Sequence, residues 1–415
     1  MVKYRPISHL QRAFHQWFSV HNFSFASSGL PSAARSRPPF DGYSIPASAF
    51  RSYPNTTLHR PSSGVRTPAP AYDRRTALSR CPFQFETGYS GCSLGPSRPL
   101  PPPFSALPST SFSDPLTSSW TNLDSRGGRQ HLVRGVTNGD DALLAARNYI
   151  GVNDGVGAWK GKELGHAALW SRLMLHFWVQ EVEDSINRLE QGLEEGGPDT
   201  VKCLQRAYEE TVNSTTLPTC NWRGTTTSVT ALLYHTTYES ELRPALYVTN
   251  IGDSQLLVIR PSTRQVLFRT IAQYHGIDCP RQLGTQSPDR PQTDAVATAL
   301  TLNEDDIVIA ISDGVVDNLW EHEILAITLD ALDEYNKWLA SATAPATAAR
   351  MRRAGGPMVY IARKILDAAR NVAFDPSAES PYMEKAMDRG VLRQGGKEDD
   401  ISVVVARCRK RGLEG

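Results

Sequence analysis

An α+β fold is predicted by two observations. Helical periodicity fills residues 163–212, and from Gly224 it gives way to short runs rich in β-branched and apolar residues. Two more helical stretches then precede one last apolar run, Ile401 to Arg407. With 40% hydrophobic and 21% charged residues, the 415-residue chain has ordinary globular composition.

The elements follow in order. Asp141 to Arg147 and Tyr149 to Asn153 flank Asn148 and read as a hairpin, with a short alanine-rich helix as the alternative. Glu163 to Leu189 places Leu169, Leu173, Phe177, Trp178, Val182 and Ile186 on one helical face. A second helix spans Thr200 to Val212, between breaks at Pro198 and Pro218. Strands are predicted at Thr225 to Tyr234, Ala245 to Asn250, Gln255 to Arg260, Gln265 to Arg269 and Ile307 to Ile311. Helices are predicted at Glu321 to Leu332 and Met358 to Val372. No internal repeat is present.

The ends of the chain differ in charge. Up to residue 130 there are fourteen basic residues against five acidic ones, although the whole chain has a formal net charge of only +1. An acidic body behind a basic leader argues against nucleic acid as the partner of the body. Met1 to Phe40 contains no acid and carries Leu10, Phe14, Trp17 and Phe18 at helical spacing. Residues 1–40 therefore read as a mitochondrial presequence, which predicts a matrix location; a disordered basic tail on a cytoplasmic protein is the alternative. Residues 41–125 are rich in Pro, Ser and Arg and read as a disordered leader, leaving 126–410 as the folded domain. No stretch approaches 18 consecutive apolar residues, so no transmembrane span is expected. The six cysteines show no C-x-x-C spacing and read as reduced thiols.

The chemistry lies in acids at strand ends. Asp154 follows Ile150-Gly151-Val152-Asn153, and Asp313 follows Ile307 to Ile311. Asp140 and Asp141 precede one apolar run, and Asp399 and Asp400 precede another. Asp253 sits between two strand runs. Gly139, Gly155, Gly252, Gly314 and Gly396 stand next to or near these acids. One such acid is an ordinary turn residue. Five, brought to one sheet edge, cannot all stay ionised without a cation. Oxygen-only ligands select Mg²⁺ or Mn²⁺ over zinc or copper. Two such ions about 3.5–4 Å apart suit in-line displacement at phosphorus.

Six ordered blocks carry a family resemblance: GDDA (Gly139 to Ala142), GVNDGVGAW (Gly151 to Trp159), NIGDSQLLVIR (Asn250 to Arg260), ISDGVVDNL (Ile311 to Leu319), FDPSAESPY (Phe374 to Tyr382) and GGKEDDISVVVA (Gly395 to Ala406). Together they resemble the metal-dependent type 2C serine/threonine protein phosphatases, and within them the mitochondrial branch. The resemblance spans about residues 130 to 408. It implies a four-layer α-β-β-α sandwich of two antiparallel sheets flanked by helix pairs, in a monomer. It implies two Mn²⁺ or Mg²⁺ ions bridged by Asp154, with the Gly155 carbonyl completing one shell. Asp313 and Asp399 would bind the second ion, while Asp141 and Asp140 act through coordinated water. Asp253 and Asp317, with Asp313, would hold a third, weaker ion. The implied reaction is attack of a metal-bridging water on phosphoserine or phosphothreonine in proteins, matrix enzymes of coenzyme Q synthesis among them.

The sequence departs from the family at three points. Val136 stands where many members have a phosphate-binding Arg, and Arg134 is the nearby substitute. Val156 replaces a His suited to protonating the leaving group, which makes His275 a candidate acid. Asn153 adds a polar side chain beside Asp154. A non-catalytic phosphoprotein-binding scaffold and a hydrolase of small phosphates are the competing readings.

Overall fold

The computed structural model describes residues 77–106, 131–217, 220–276, 279–341 and 355–412. The presequence reading of residues 1–40 lies outside them. The strands that build the body are β1 (Phe83–Cys92), β2 (Val136–Asn138), β3 (Asp141–Ala145), β4 (Tyr149–Asn153), β5 (Ser228–Tyr238), β6 (Glu241–Ile251), β7 (Gln255–Arg260), β8 (Gln265–Arg269), β9 (Val296–Thr301), β10 (Ile307–Ile311) and β11 (Ile401–Lys410). One sheet has the order β1-β11-β10-β7-β8 and the other β9-β6-β5-β4-β3-β2. Every pairing within the two is antiparallel.

Three apolar layers separate four structural ones. Successive strand side chains point to opposite faces. In β11, Val404, Ala406 and Cys408 face the other sheet, whereas Val403 and Val405 face helices. In β10, Val308 and Ala310 point inward between the sheets, and Ile307, Ile309 and Ile311 point outward. Both faces are covered, which is why these strands read as continuous apolar runs. The helices α1 (Ala167–Glu190) and α2 (Thr200–Thr215) cover the six-stranded sheet through Trp178, Val182, Leu204 and Ala207. The short α3 (Asp313–Val316) follows β10. The helices α4 (Glu321–Ser341) and α5 (Gly356–Ala373) cover the five-stranded sheet through Ile324, Leu332, Ile361 and Ile365. Last comes α6 (Pro381–Asp388), capped by Ser380. This is the four-layer sandwich. No described helix is long and apolar enough to cross a membrane.

Several expectations are corrected. Residues 83–92 belong to the folded body and not to a disordered leader, because β1 pairs with β11 from Phe83↔Lys410 to Cys92↔Ile401. Proline-rich flanks hide that strand in the sequence. Residues 141–153 form the hairpin and not the helix. The first long helix starts at Ala167 and not at Glu163, since Gly165 bridges to Arg223 and His166 accepts the cap bond from Leu169 N. The helix predicted to stop at Leu332 runs on to Ser341, where Trp338 packs edge-on against Tyr360 of α5. Among the described residues Cys81, Cys92, Cys203, Cys279 and Cys408 are free thiols.

Phe85 lies between the two sheets and is 4% exposed. Phe85→Ala is expected to lower unfolding free energy by about 3–5 kcal/mol in a denaturant titration. A change near zero would mean that β1 is dispensable leader after all.

Candidate metal centre

Both sheets deliver acids to the same end of the sandwich. Asp141 opens β3 and Asp154 follows β4, with Ala142 opposite Asn153 in the register. Asp313 follows β10 and Asp399 precedes β11, with Ile311 opposite Val403. Asp253 lies in the turn that carries the chain from β6 in one sheet to β7 in the other.

Threonines fix the Asp154 backbone. Thr227 N donates to Asp154 O at 2.9 Å, and Thr226 Oγ1 donates to the same carbonyl at 2.9 Å. Asp154 N donates to Thr227 Oγ1 at 3.2 Å. Gly155 is obligatory here, because a Cβ would overlap the Asp140 carbonyl. Asn153 donates through Nδ2 to Ser171 O at 3.0 Å and ties the loop to α1. Ser171 Oγ donates to Asp140 O at 2.6 Å. Asp141 is 1% exposed and accepts from Ser402 Oγ at 2.7 Å, a link between the sheets.

Crowding controls the protonation of these acids. Burial, then the Asp313, Asp141, Asp399 and Asp253 charges, hold Asp154 well above the usual carboxylate range. Asp141 is held well above it too, by burial, Asp400, Asp399 and Asp313. Asp253 is pushed up to about 8 by burial and by Asp313 and Asp317. Asp399 is pushed up to about 7 by burial and Asp313. Asp140 is raised by burial and Asp400. Asp313 differs. Its burial is outweighed by Lys397 first, and then by the neighbouring Asp154 and Lys385, which leave it below the usual range. Burial and repulsion thus favour the protonated form of Asp154, and Lys397 favours the charged form of Asp313.

The donor set fits hard divalent cations. The Oδ1 atoms of Asp313 and Asp253 are buried with no hydrogen-bond partner. Such oxygens are costly to bury unless something positive meets them. Among the described residues, however, no group of three or more acids, histidines or cysteines stands closed as a metal shell. Lys397 sits among the acids: its Nζ is 2.6 Å from Asp313 Oδ2, 2.8 Å from Asp317 Oδ2 and 3.4 Å from Asp399 Oδ2. Lys385 Nζ reaches Asp317 Oδ1 at 2.7 Å. Neither lysine stands out in the sequence, where a Lys in a charged run reads as a solvated residue.

A cleft of about 250 Å³ opens over Asp140, Asp154, Asp313 and Asp399, with Arg98 and Lys160 also on its walls. Arg98 comes from the segment after β1, which is tied down at several points. Asp400 accepts from Leu94 N at 2.7 Å and, through its other oxygen, from Asp140 N at 2.8 Å. Ser97 Oγ accepts from Gly139 N at 2.7 Å, and Arg98 Nη1 donates to Gly165 O at 2.7 Å. Arg134, the sequence-based phosphate ligand, is turned elsewhere. Its Nη1 pairs with Glu183 at 2.9 Å, and it does not line the cleft. His275, the candidate acid, faces the Asp289 carboxylate at 2.9 Å and is likewise absent from the cleft lining.

The fold and the cleft define a two-sheet sandwich with an acid-lined opening at one end. Its relatives are named as phosphatases. The chain is 28% identical over 280 residues to probable protein phosphatase 2C 80 of Arabidopsis thaliana, covering 66% of this chain and 56% of that protein. It is 30% identical over 280 residues to probable protein phosphatase 2C 55 of the same plant, covering 66% and 49%. It is 27% identical over 290 residues to the protein phosphatase PTC7 homolog of Homo sapiens, covering 66% and 81%. The chain thus spans about half the length of the two plant relatives. No family model matches. Over about two thirds of its length the chain is thus similar to proteins named as type 2C protein phosphatases.

Raised carboxyls set a pH dependence. An Asp whose folded pKa exceeds its unfolded value costs stability as pH rises between the two, because the unfolded chain releases the proton first. Within the site, Asp154, Asp141, Asp253, Asp399 and Asp140 act in this sense, and Asp313 opposes them. Bound cations offset the cost. Saturating Mn²⁺ is expected to raise the Tm more at about pH 8 than at about pH 5.5. Thermal unfolding at both pH values, with and without Mn²⁺, checks this; an equal Tm rise at both would contradict it.

Proposed function

We propose that this chain is a Mn²⁺- or Mg²⁺-dependent protein phosphatase acting on phosphoserine and phosphothreonine. The observation that carries the reading is the convergence of Asp154, Asp313 and Asp399 on one cleft, where Asp313 Oδ1 is buried with no hydrogen-bond partner. Asp154 and the Gly155 carbonyl would hold one ion, and Asp154 would be shared with a second on Asp313 and Asp399. Asp141 and Asp140 would contribute through water. When bound, the ions screen phosphoryl charge and activate the attacking water.

The chain's own residues do the rest. Arg98 and Lys160 stand on the cleft walls, and their cationic groups suit a dianionic phosphate monoester. They replace the Arg that family members carry before the acid pair, with Arg134 engaged by Glu183. Thr226 and Thr227 hold the Asp154 backbone still, so the bridging carboxylate is aimed before substrate arrives. The acid-free first forty residues support delivery to the mitochondrial matrix.

Release of phosphate from a phosphoserine peptide is expected only with Mn²⁺ or Mg²⁺, and Asp154→Asn or Asp313→Asn should abolish it. Activity surviving both changes would sink the assigned centre. Arg98→Ala should raise the peptide KM about tenfold, the equivalent of about 1.4 kcal/mol, with a smaller change in kcat. An unchanged KM would remove Arg98 from substrate binding. For location, a fluorescent fusion should reach mitochondria with residues 1–40 and fail to without them; a cytosolic signal from both would refute targeting.

A further inference from the structure

We infer that Lys397 and Lys385 occupy the role of the third, weaker metal ion, so that this chain works with two divalent ions and a built-in pair of ammonium groups. The inference starts from Asp317. Family resemblance assigns that residue, with Asp253 and Asp313, to a third cation. In this structure both Asp317 oxygens are already used: Oδ1 by Lys385 at 2.7 Å and Oδ2 by Lys397 at 2.8 Å. Asp317 is 4% exposed, so neither contact is a loose surface pair. Each oxygen of this buried carboxylate already meets an ammonium group, and displacing either one for a metal would leave a buried charge uncompensated.

Asp313 divides its oxygens differently. Oδ2 accepts from Lys397 at 2.6 Å, while Oδ1 is buried without a partner. One oxygen serves the lysine, and one is left for the two-ion centre. Lys397 thus lies on the side of Asp313 away from that free oxygen and links it to Asp317 and Asp399.

The lysines are held in place by local structure. The Lys397 backbone is fixed on both sides by Asn318: Lys397 N donates to Asn318 Oδ1 at 2.9 Å, and Asn318 Nδ2 donates to Lys397 O at 2.9 Å. Its ammonium lies 5.7 Å from the Tyr382 ring centroid. Lys385 is carried by α6, whose first turn is anchored by Tyr382 N donating to Asp317 O at 2.9 Å. Ser380 Oγ ties the same turn to Gly395 O at 2.8 Å. The FDPSAESPY block, which leads into α6, thereby brings an ammonium group to Asp317.

The test is a Mn²⁺ count on the full chain, by calorimetry and by electron paramagnetic resonance of free Mn²⁺. Two ions per chain are expected for the unmodified protein and also for Asp317→Asn. The double variant Lys385→Met with Lys397→Met should gain a third, weaker ion, while Lys397→Arg should keep two. Three ions in the unmodified protein, or one lost in Asp317→Asn, would overturn the inference. So would a double variant that stays folded by circular dichroism and holds only two. The inference rests on the proposed metal-dependent function, but the two fail separately. Three ions with peptide turnover overturn the lysine role alone; two ions without turnover overturn the phosphatase reading alone; no Mn²⁺ binding overturns both.

Discussion

Crowding of carboxylates between two sheets is the constraint on which this structure depends. Asp154 and Asp141 come from one sheet, and Asp313 and Asp399 from the other. Their mutual repulsion must be met by protons, by lysines or by metal ions. Burial and repulsion favour a proton on Asp154, and Lys397 meets Asp313 on the far side of the cluster. Divalent ions would replace protons, not create the site.

The sandwich exists to hold that crowding still. Strands buried on both faces leave little freedom at their ends. The Thr226–Thr227 clamp and the Ser402–Asp141 bond then fix the acids within the frame. Of the cations on the cleft wall, Lys160 follows the Asp154 loop, and Arg98 enters from outside the frame, on the segment after β1. That segment is joined to the centre through Asp400, which binds Leu94 N with one oxygen and Asp140 N with the other. Asp399 thus lines the cleft, while its neighbour Asp400 ties the cleft wall together.

Much of this is legible in the sequence, and the reasons are physical. Acids that end strands announce themselves locally, through an apolar run, an Asp and a Gly. Asp154, Asp313 and Asp399 can be found that way. The strands Gln255 to Arg260 and Ile307 to Ile311 are readable to the residue, since burial on both faces leaves an unbroken apolar signal. The misses are non-local. Leu94 and Asp400 are 306 positions apart, so nothing near Arg98 shows that it reaches the cleft. Phe83–Cys92 is an edge strand set among prolines, and its partner lies at the far end of the chain. Arg134 is favoured by proximity in sequence, but Glu183 on α1 claims its guanidinium. Lys397 looks like one charge in a polar turn, and only the fold surrounds it with acids.

The central quantity is the protonation of Asp154. Infrared difference spectroscopy on adding Mg²⁺, with Asp154→Asn as control, measures it directly. Loss of a protonated-carboxyl band in the unmodified protein, diminished or missing in the variant, is the predicted result. A spectrum with no such loss would show that Asp154 is already ionised, and would contradict the claim that crowded carboxylates store the site's cation-binding capacity as protons.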